Sequence, residues 1–294
     1  MYIRAGFSTK ARVNIYISAS MNNIVALEEE QMNKEKILFG TKEWAPHNFN
    51  FVHGCSNDCS YCYAKEMAIR FKRKTPETWK IEETVSMQGK SFRKRDGRIM
   101  IPSSHDITPD NIEIALDIIN KLLQNGNELL IVTKPNVSCV KRLVDQFEKY
   151  IPSIQMRFTI GSTSTEVLKL WEPGATSFED RLKAVRYAFE HGYSTSISAE
   201  PLLDETPDAL YEELRHYVTD SLWIGKMNFP DRRIKMNSAL SEIPLHVKTL
   251  MEAQSDEKII EMWKKYKNNP MIEWKESIKK IIARHKTLFE KADI

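Results

Sequence analysis

Gly54-Cys55-Ser56-Asn57-Asp58-Cys59-Ser60-Tyr61-Cys62-Tyr63-Ala64 places three thiols within eight positions, a C-x3-C-x2-C array directly after the β-rich run Asn48 to Val52. Three thiolates on one short loop reach a single metal centre without long-range folding. An iron–sulfur cube is ordinarily held by four cysteines, so three leave one iron without a protein thiolate. An open position of that kind is what a catalytic centre, as opposed to a structural one, requires. The same sulfurs with His53 or His47 also make an ordinary zinc set, although zinc knuckles usually come in pairs and the chain has no second C-x2-C. The fourth cysteine, Cys139, falls near the start of a helical stretch and reads as a small buried hydrophobe. Cysteines clustered like this are not a distributed disulfide framework, so a reducing, cytoplasmic compartment is expected.

Outward from the array, short β-rich runs alternate with helical patterns, the signal of βα units and a parallel sheet. The expected strands are 48–52, 98–101, 128–133, 154–160, 193–199 and 222–226, six in all. Thr108-Pro109 and Thr206-Pro207 each offer a helix N-cap followed by proline. Ser177 with Asp180 resembles a capping box, and Gly126 and Gly192 stand where helices are expected to end. Periodicity alone allows these units to close as a barrel or to open as a doubly wound sheet. Beyond Pro230 the pattern turns helical, with helices expected over 256–267 and 271–286. The organisation expected is therefore an N-terminal extension over 1–35, a core over 36–230 and a C-terminal helical extension over 231–294. The extension has no acidic residue before Glu28 and weakly resembles an organellar transit peptide, a disordered tail or an upstream start.

A hydrophobic content of 41% with a mean hydropathy of −0.45 suits a chain that buries a sizeable core. No stretch approaches the ~18 consecutive apolar residues of a membrane span, and a net charge of +3 says little about partners.

If the strands form a barrel, residues at their C-terminal ends converge on one face. Those ends are polar: Ser103, Ser104, His105 and Asp106 after the second strand, Thr133 and Lys134 after the third, Gly161 and Ser162 after the fourth. Ser198 and Glu200 follow in the fifth, and Lys226 with Asn228 in the sixth. With the cysteine array on the same face they outline a pocket for a charged, polar cofactor. Lys134 offers a point charge to a carboxylate, and Glu172 and Arg181 read as a structural ion pair.

The cysteine array, with the aromatic Tyr61 before its third cysteine and its place after the first strand of a βα series, resembles the radical S-adenosylmethionine superfamily. Within it the chain is similar to the spore photoproduct lyase and DNA repair photolyase-like group, through Tyr61 and Tyr63, Ser103 to Asp106, Thr133-Lys134 and the Glu172-Pro173…Arg181-Leu182 run. The resemblance spans residues 48–228. It implies an α/β fold, a partial (β/α)6 barrel with a C-terminal helical extension. It also implies a [4Fe-4S] cluster on Cys55, Cys59 and Cys62, and S-adenosyl-L-methionine cleaved reductively to abstract a hydrogen atom from a substrate. Tyr61, Ser103, Ser104, Asp106, Lys134, Ser162, Glu200 and Lys226 are the expected cofactor-binding residues, and Tyr61 and Tyr63 resemble tyrosines of a radical relay. An electron donor such as a flavodoxin or ferredoxin is implied as well.

One departure is chemical. Where the lyase carries a hydrogen-donating cysteine just after the second strand, this chain has Ser103, and an O–H bond is a poor hydrogen-atom donor. A related reaction on another substrate is expected. Between residues 70 and 98, ten Lys and Arg face four Glu and Asp, interleaved with Phe71, Trp79 and Phe92, a composition suited to a nucleic acid or nucleotide. The alternative reading of the whole chain is a non-catalytic zinc module that binds nucleic acid.

Overall fold

The computed structural model describes residues 38–292. The chain divides after Leu38, and the elements below belong to the unit that begins at Phe39; the extension expected over 1–35 lies outside the described residues. Nine strands run β1 (His47–Asn48), β2 (Val52–His53), β3 (Glu83–Thr84), β4 (Ile99–Ile101), β5 (Leu129–Thr133), β6 (Ile154–Thr159), β7 (Ser194–Ala199), β8 (Leu222–Ile224) and β9 (Ile272–Trp274). Seven of them form one sheet in the order β1-β4-β5-β6-β7-β8-β9, every neighbouring pair parallel. β2 and β3 pair antiparallel as a separate ribbon beside the cysteine loop.

Helices fill the crossovers: α1 (Tyr63–Arg70), α2 (Ile112–Gln124), α3 (Val137–Gln146), α4 (Thr165–Trp171), α5 (Phe178–Glu190) and α6 (Asp208–Leu214). Ser177 accepts from the Asp180 amide as the α5 cap, and Gly126 and Gly192 lie one residue past the C-caps of α2 and α5. Thr108-Pro109 does not open α2, which begins three residues later behind Asn111, because the Thr108 hydroxyl donates to Glu82 instead. Four helices follow: α7 (Pro230–Ser238), α8 (Leu245–Ala253), α9 (Asp256–Tyr266) and α10 (Glu276–Ala292). The C-terminal segment also supplies β9, a seventh strand within the stretch expected to be helical from Met271. Ile272 and Trp274 are both buried, and alternation of that kind is invisible beside the longer helical period that follows.

Alternation sorts the sheet residues onto two faces. Ile99, Ile101, Leu129, Ile131, Ile154, Met156, Phe158, Ile197, Leu222 and Ile224 join the core against the helices. Met100, Leu130, Val132 and Trp223 point the other way and gather on Trp44 and Ala45. β4 and β8 are four strands apart, about 19 Å in a flat sheet at ~4.8 Å per strand. Trp44 packs in one cluster with residues of both, so the sheet is curled around it as a partial barrel. From the far edge Lys275 donates to the Gly40 carbonyl at 3.0 Å and pairs with Glu43 at 2.7 Å, tying β9 to the segment just before β1.

Trp44 is thus the floor of the barrel. The Arg157 guanidinium lies 4.7 Å and the Lys275 ammonium 4.2 Å from its ring centroid, and Trp223 meets it edge-on at 5.9 Å. Replacing Trp44 with alanine is expected to cost about 3–5 kcal/mol, read as a fall in the urea midpoint. Trp44→Phe is expected to recover most of it, since the buried indole N–H has no partner to lose.

Candidate active site

The cysteine loop spans the interval between β2 and α1 and is held by backbone as much as by side chains. Gly54 has φ +98°, and a Cβ there would stand 2.3 Å from the Ile81 carbonyl oxygen, so only glycine lets the loop turn under the β2–β3 ribbon. The Cys55 amide donates to the Trp79 carbonyl at 3.0 Å, and the Ser56 amide to Glu82 at 2.9 Å. The turn between α4 and α5 clasps the other side. Ser60 N donates to the Trp171 carbonyl at 3.0 Å and Gly174 N to the Asn57 carbonyl at 3.1 Å, and a Cβ on Gly174 would overlap Ser56 O at 2.0 Å. From α7, Asn237 donates to the Ser60 and Cys62 carbonyls at 2.8 and 2.9 Å. Cys62 itself caps α1, its sulfur accepting from the Lys65 amide at 3.4 Å.

Two buried carboxylates join this loop to the strand ends. Asp106 accepts from Asn57 Nδ2 at 2.8 Å, the Lys134 amide at 2.9 Å, its neighbour Ile107 N at 2.8 Å and the Thr133 hydroxyl. Burial pushes its carboxyl up despite Lys134 and those donors. Glu172, fully buried, accepts from the Tyr61 phenol and from Arg181 Nη2 at 2.6 Å, with Lys134 Nζ at 3.9 Å. Burial raises its carboxyl as well, but Arg181, Lys134 and the Tyr61 hydroxyl outweigh it and hold it below the usual carboxylate range. For Lys134 burial works downward, and Cys59, Glu172 and Asp106 together hold its ammonium well above its ordinary value. The expected Glu172–Arg181 ion pair is therefore present, and it anchors Tyr61 to the barrel rim.

A cavity of about 310 Å³ opens inside the curled sheet above Trp44. Cys55, Cys59 and Cys62 all line it, together with Tyr61, Tyr63, Ser103, Ser104, Asp106, Lys134, Glu200 and Lys226. Ser162 does not. Its hydroxyl is buried, donates to Asp204 at 2.6 Å and accepts from the Ser164 amide, while Thr159 of β6 reaches the cavity. Tyr63 is 41% exposed and donates to the Ser103 carbonyl. Asn50 fixes the loop after β4, its Oδ1 accepting from the Ser103 and Ser104 amides and its Nδ2 donating to the Ser103 hydroxyl. Asn50, Asn57, Glu82 and Asn237 carry no motif, so sequence reasoning passed over them. Lys275 also lines the cavity, 3.5 Å from Glu200, and arrives from the strand whose period was masked by a helix.

Chemically, the wall is a set of three free thiols around one space. Burial pushes all three upward, Cys59 despite the nearby Lys134, so their thiolate forms call for a cationic centre to neutralise them. Among the described residues no three His, Cys, Asp or Glu side chains gather around a single-ion position. The histidines proposed to complete a zinc set are elsewhere: His47 Nε2 is 2.9 Å from the Asp96 carbonyl, His53 is exposed on β2, and neither lines the cavity. Cys139 is buried on α3, outside it too. Three sulfurs, an adjoining space and, among the described residues, no fourth cysteine in the wall fit a cluster with one iron left free of protein thiolate.

Residues 49–218 match the family model of the radical SAM superfamily, and the chain belongs to that superfamily. An uncharacterized protein of Methanocaldococcus jannaschii is 26% identical over 170 residues, 57% of this chain and 64% of the relative. Among solved structures, spore photoproduct lyase complexed with dinucleoside spore photoproduct aligns with a TM-score of 0.48 at 18% identity, over 72% of this chain and 66% of that one. Streptococcus suis SuiB bound to S-adenosylmethionine aligns at 0.47 and 12% identity, over 84% and 53%. The chain thus spans less than two thirds of the length of each of these proteins. Among the described residues no helix is long and apolar enough to cross a membrane.

His105 offers a test of the rim. Its Nε2 accepts from Phe51 N at 3.1 Å and Val52 N at 3.3 Å, which leaves Nδ1 to donate to the Asp106 carbonyl at 3.0 Å as a neutral ring. Burial lowers its pKa to about 4. Between about 4 and the ordinary 6.5 the unfolded chain binds a proton that the native one refuses, so stability falls as pH drops through that window. The slope is up to roughly 1.4 kcal/mol per pH unit. Urea titrations are expected to show this slope in the wild-type chain and its loss in His105→Gln.

Proposed function

We propose that this chain is an enzyme that holds a [4Fe-4S] cluster on Cys55, Cys59 and Cys62 and uses it to cleave S-adenosylmethionine. The observation that carries this reading is the convergence of three free thiols on one cavity whose wall, among the described residues, has no fourth cysteine. Bound there, such a cluster would supply the electron for reductive cleavage of S-adenosylmethionine into methionine and a 5′-deoxyadenosyl radical able to take a hydrogen atom from a substrate. The protein's part is orientation, charge and exclusion of side reactions. Lys134 presents an ammonium at the cavity wall beside Cys59, placed to meet a cofactor carboxylate; Glu200, two strands further along the same rim at the end of β7, is an acceptor for hydroxyls. The fixed partners of Asp106 make it a support for Lys134 and the cysteine loop, with its oxygens already engaged.

Tyr61 is locked onto Glu172 and nearly covered, whereas Tyr63 is open to the cavity and is the tyrosine better placed to exchange a hydrogen atom with a substrate. Ser103 lines the cavity where a thiol would be needed to return a hydrogen in the lyase reaction, which favours a different reaction. The electron is proposed to come from a flavodoxin- or ferredoxin-like donor in a reducing compartment.

After anaerobic isolation the protein is expected to be brown, with about four irons and four sulfides per chain, and to release 5′-deoxyadenosine from S-adenosylmethionine on reduction with dithionite. Cys59→Ala should lose both colour and product. A colourless, air-stable protein with stoichiometric zinc would show the zinc reading to be the right one.

A further inference from the structure

The basic stretch between residues 70 and 98 does not act as one surface. Trp79 is buried against Cys55, Ala64 and Ala68, and Phe92 stacks on Phe49 at 5.4 Å. Lys74 is paired with Glu83 at 2.7 Å, and Arg98 is bound to the Trp44 carbonyl and Gln155. What remains beside the cavity is sharper. On α1 and its C-cap, Tyr63, Met67 and Phe71 recur every four residues and are exposed at 41%, 38% and 58%, a stripe about 12 Å long at ~1.5 Å per residue. It begins in the cavity wall with Tyr63 and runs outward.

The Phe71 ring at its far end has Arg70 at 5.8 Å and Arg73 at 5.9 Å, and among the described residues Arg70, Lys72 and Arg73 have no carboxylate partner. Across the contact with α7, Phe229 is 61% exposed with the Arg232 guanidinium 4.6 Å from its ring. Arg232 and Arg233 are tied to α1 through Glu66, at 2.7 and 3.4 Å, and Arg233 lines the cavity. Lys72 and Phe229 are both held at left-handed φ, 56° and 54°, where a side chain of that size is costly.

We propose that this stripe is the docking track for a single-stranded nucleic acid, which it feeds into the cavity; the inference rests on the enzymatic reading above and names its substrate class. Exposed rings stack on bases of any sequence, and the unpaired guanidinium and ammonium groups beside them meet phosphates. A duplex hides its base faces and must be unstacked before a base can enter an enclosed site. A single strand presents them directly.

The test is fluorescence anisotropy with the anaerobically reconstituted full chain. The probes are short fluorescein-labelled single-stranded DNA and RNA, the matching duplex, and an oligoglutamate of equal charge. Single strands are expected to bind at least ten-fold more tightly than the duplex or the oligoglutamate. Phe71→Ala is expected to weaken them roughly ten-fold, and Phe71→Tyr to restore binding. Arg70→Gln with Arg73→Gln should reduce the slope of log affinity on log salt by about 1.4, two single-strand phosphate contacts. Lys258→Gln, on α9, should change neither. Equal binding of oligoglutamate and single strands, no saturable binding, or Phe71→Ala and the double variant behaving as wild type would each overturn the proposal. Wild-type 5′-deoxyadenosine release on reduction is measured in parallel. Its presence without single-strand binding defeats the docking track alone, and its absence defeats the enzymatic reading.

Discussion

The cysteine loop has only a small apolar cluster of its own, and its shape here depends on two carboxylates buried at the barrel rim. Asp106 gathers Asn57 of the loop with the backbone at the end of β5, and Glu172 gathers Tyr61 of the loop with Arg181 and Lys134. A buried charge is costly unless it is partnered, so Arg181 offsets the burial of Glu172, and Asn57 ties Asp106 to the loop. With the loop held this way, all three cysteines line one cavity. Polar contacts here add to the apolar packing of Cys55 on Trp79 and of Cys59 and Tyr61 in the main core.

The same economy governs the barrel interior. The floor is a cation between two indoles, and the open edge is bridged by Lys275 among Glu43, Glu200 and Glu276. Burial and the neighbouring Glu43 push the Glu276 carboxyl up to about 7, whereas Glu43 is held below its usual range: burial opposes this, but the contacts with Glu276 and Lys275 prevail. Charged residues thus close the bottom and side, while the upper half keeps thiols, hydroxyls and Lys134 around a space large enough for a polar cofactor. Segments from both ends of the described chain are needed for this, which explains why the sheet extends beyond the stretch that matches the family.

Much of this was legible in the sequence where a short-range rule applies. The β-rich runs from Ile99 to Ile224 became strands within a few residues, because both of their faces are buried and each is bounded by a helix with its own end signal. The spacing of the cysteine array alone pointed to one shared centre, and its three cysteines line one cavity. Ser103, Ser104, Asp106, Lys134, Glu200 and Lys226, singled out at strand ends as cofactor-binding residues, line the cavity, because a parallel barrel sends those positions to one face. Ser162 obeyed the same rule in position but turned its hydroxyl to Asp204, a partner 42 residues away that no local pattern reveals. Asn50, Glu82, Asn237 and Lys275 act through tertiary contacts of the same kind, and β9 was too short to stand out against a helical period.

The proposed chemistry turns on an iron that no cysteine would hold, and electron paramagnetic resonance tests for it directly. The reconstituted chain, reduced anaerobically, is expected to give a reduced-cluster signal whose g values shift when S-adenosylmethionine is added, as they must if the cofactor ligates the iron that no cysteine holds. A signal unmoved by S-adenosylmethionine, or no reduced-cluster signal from an iron-loaded chain, would contradict it.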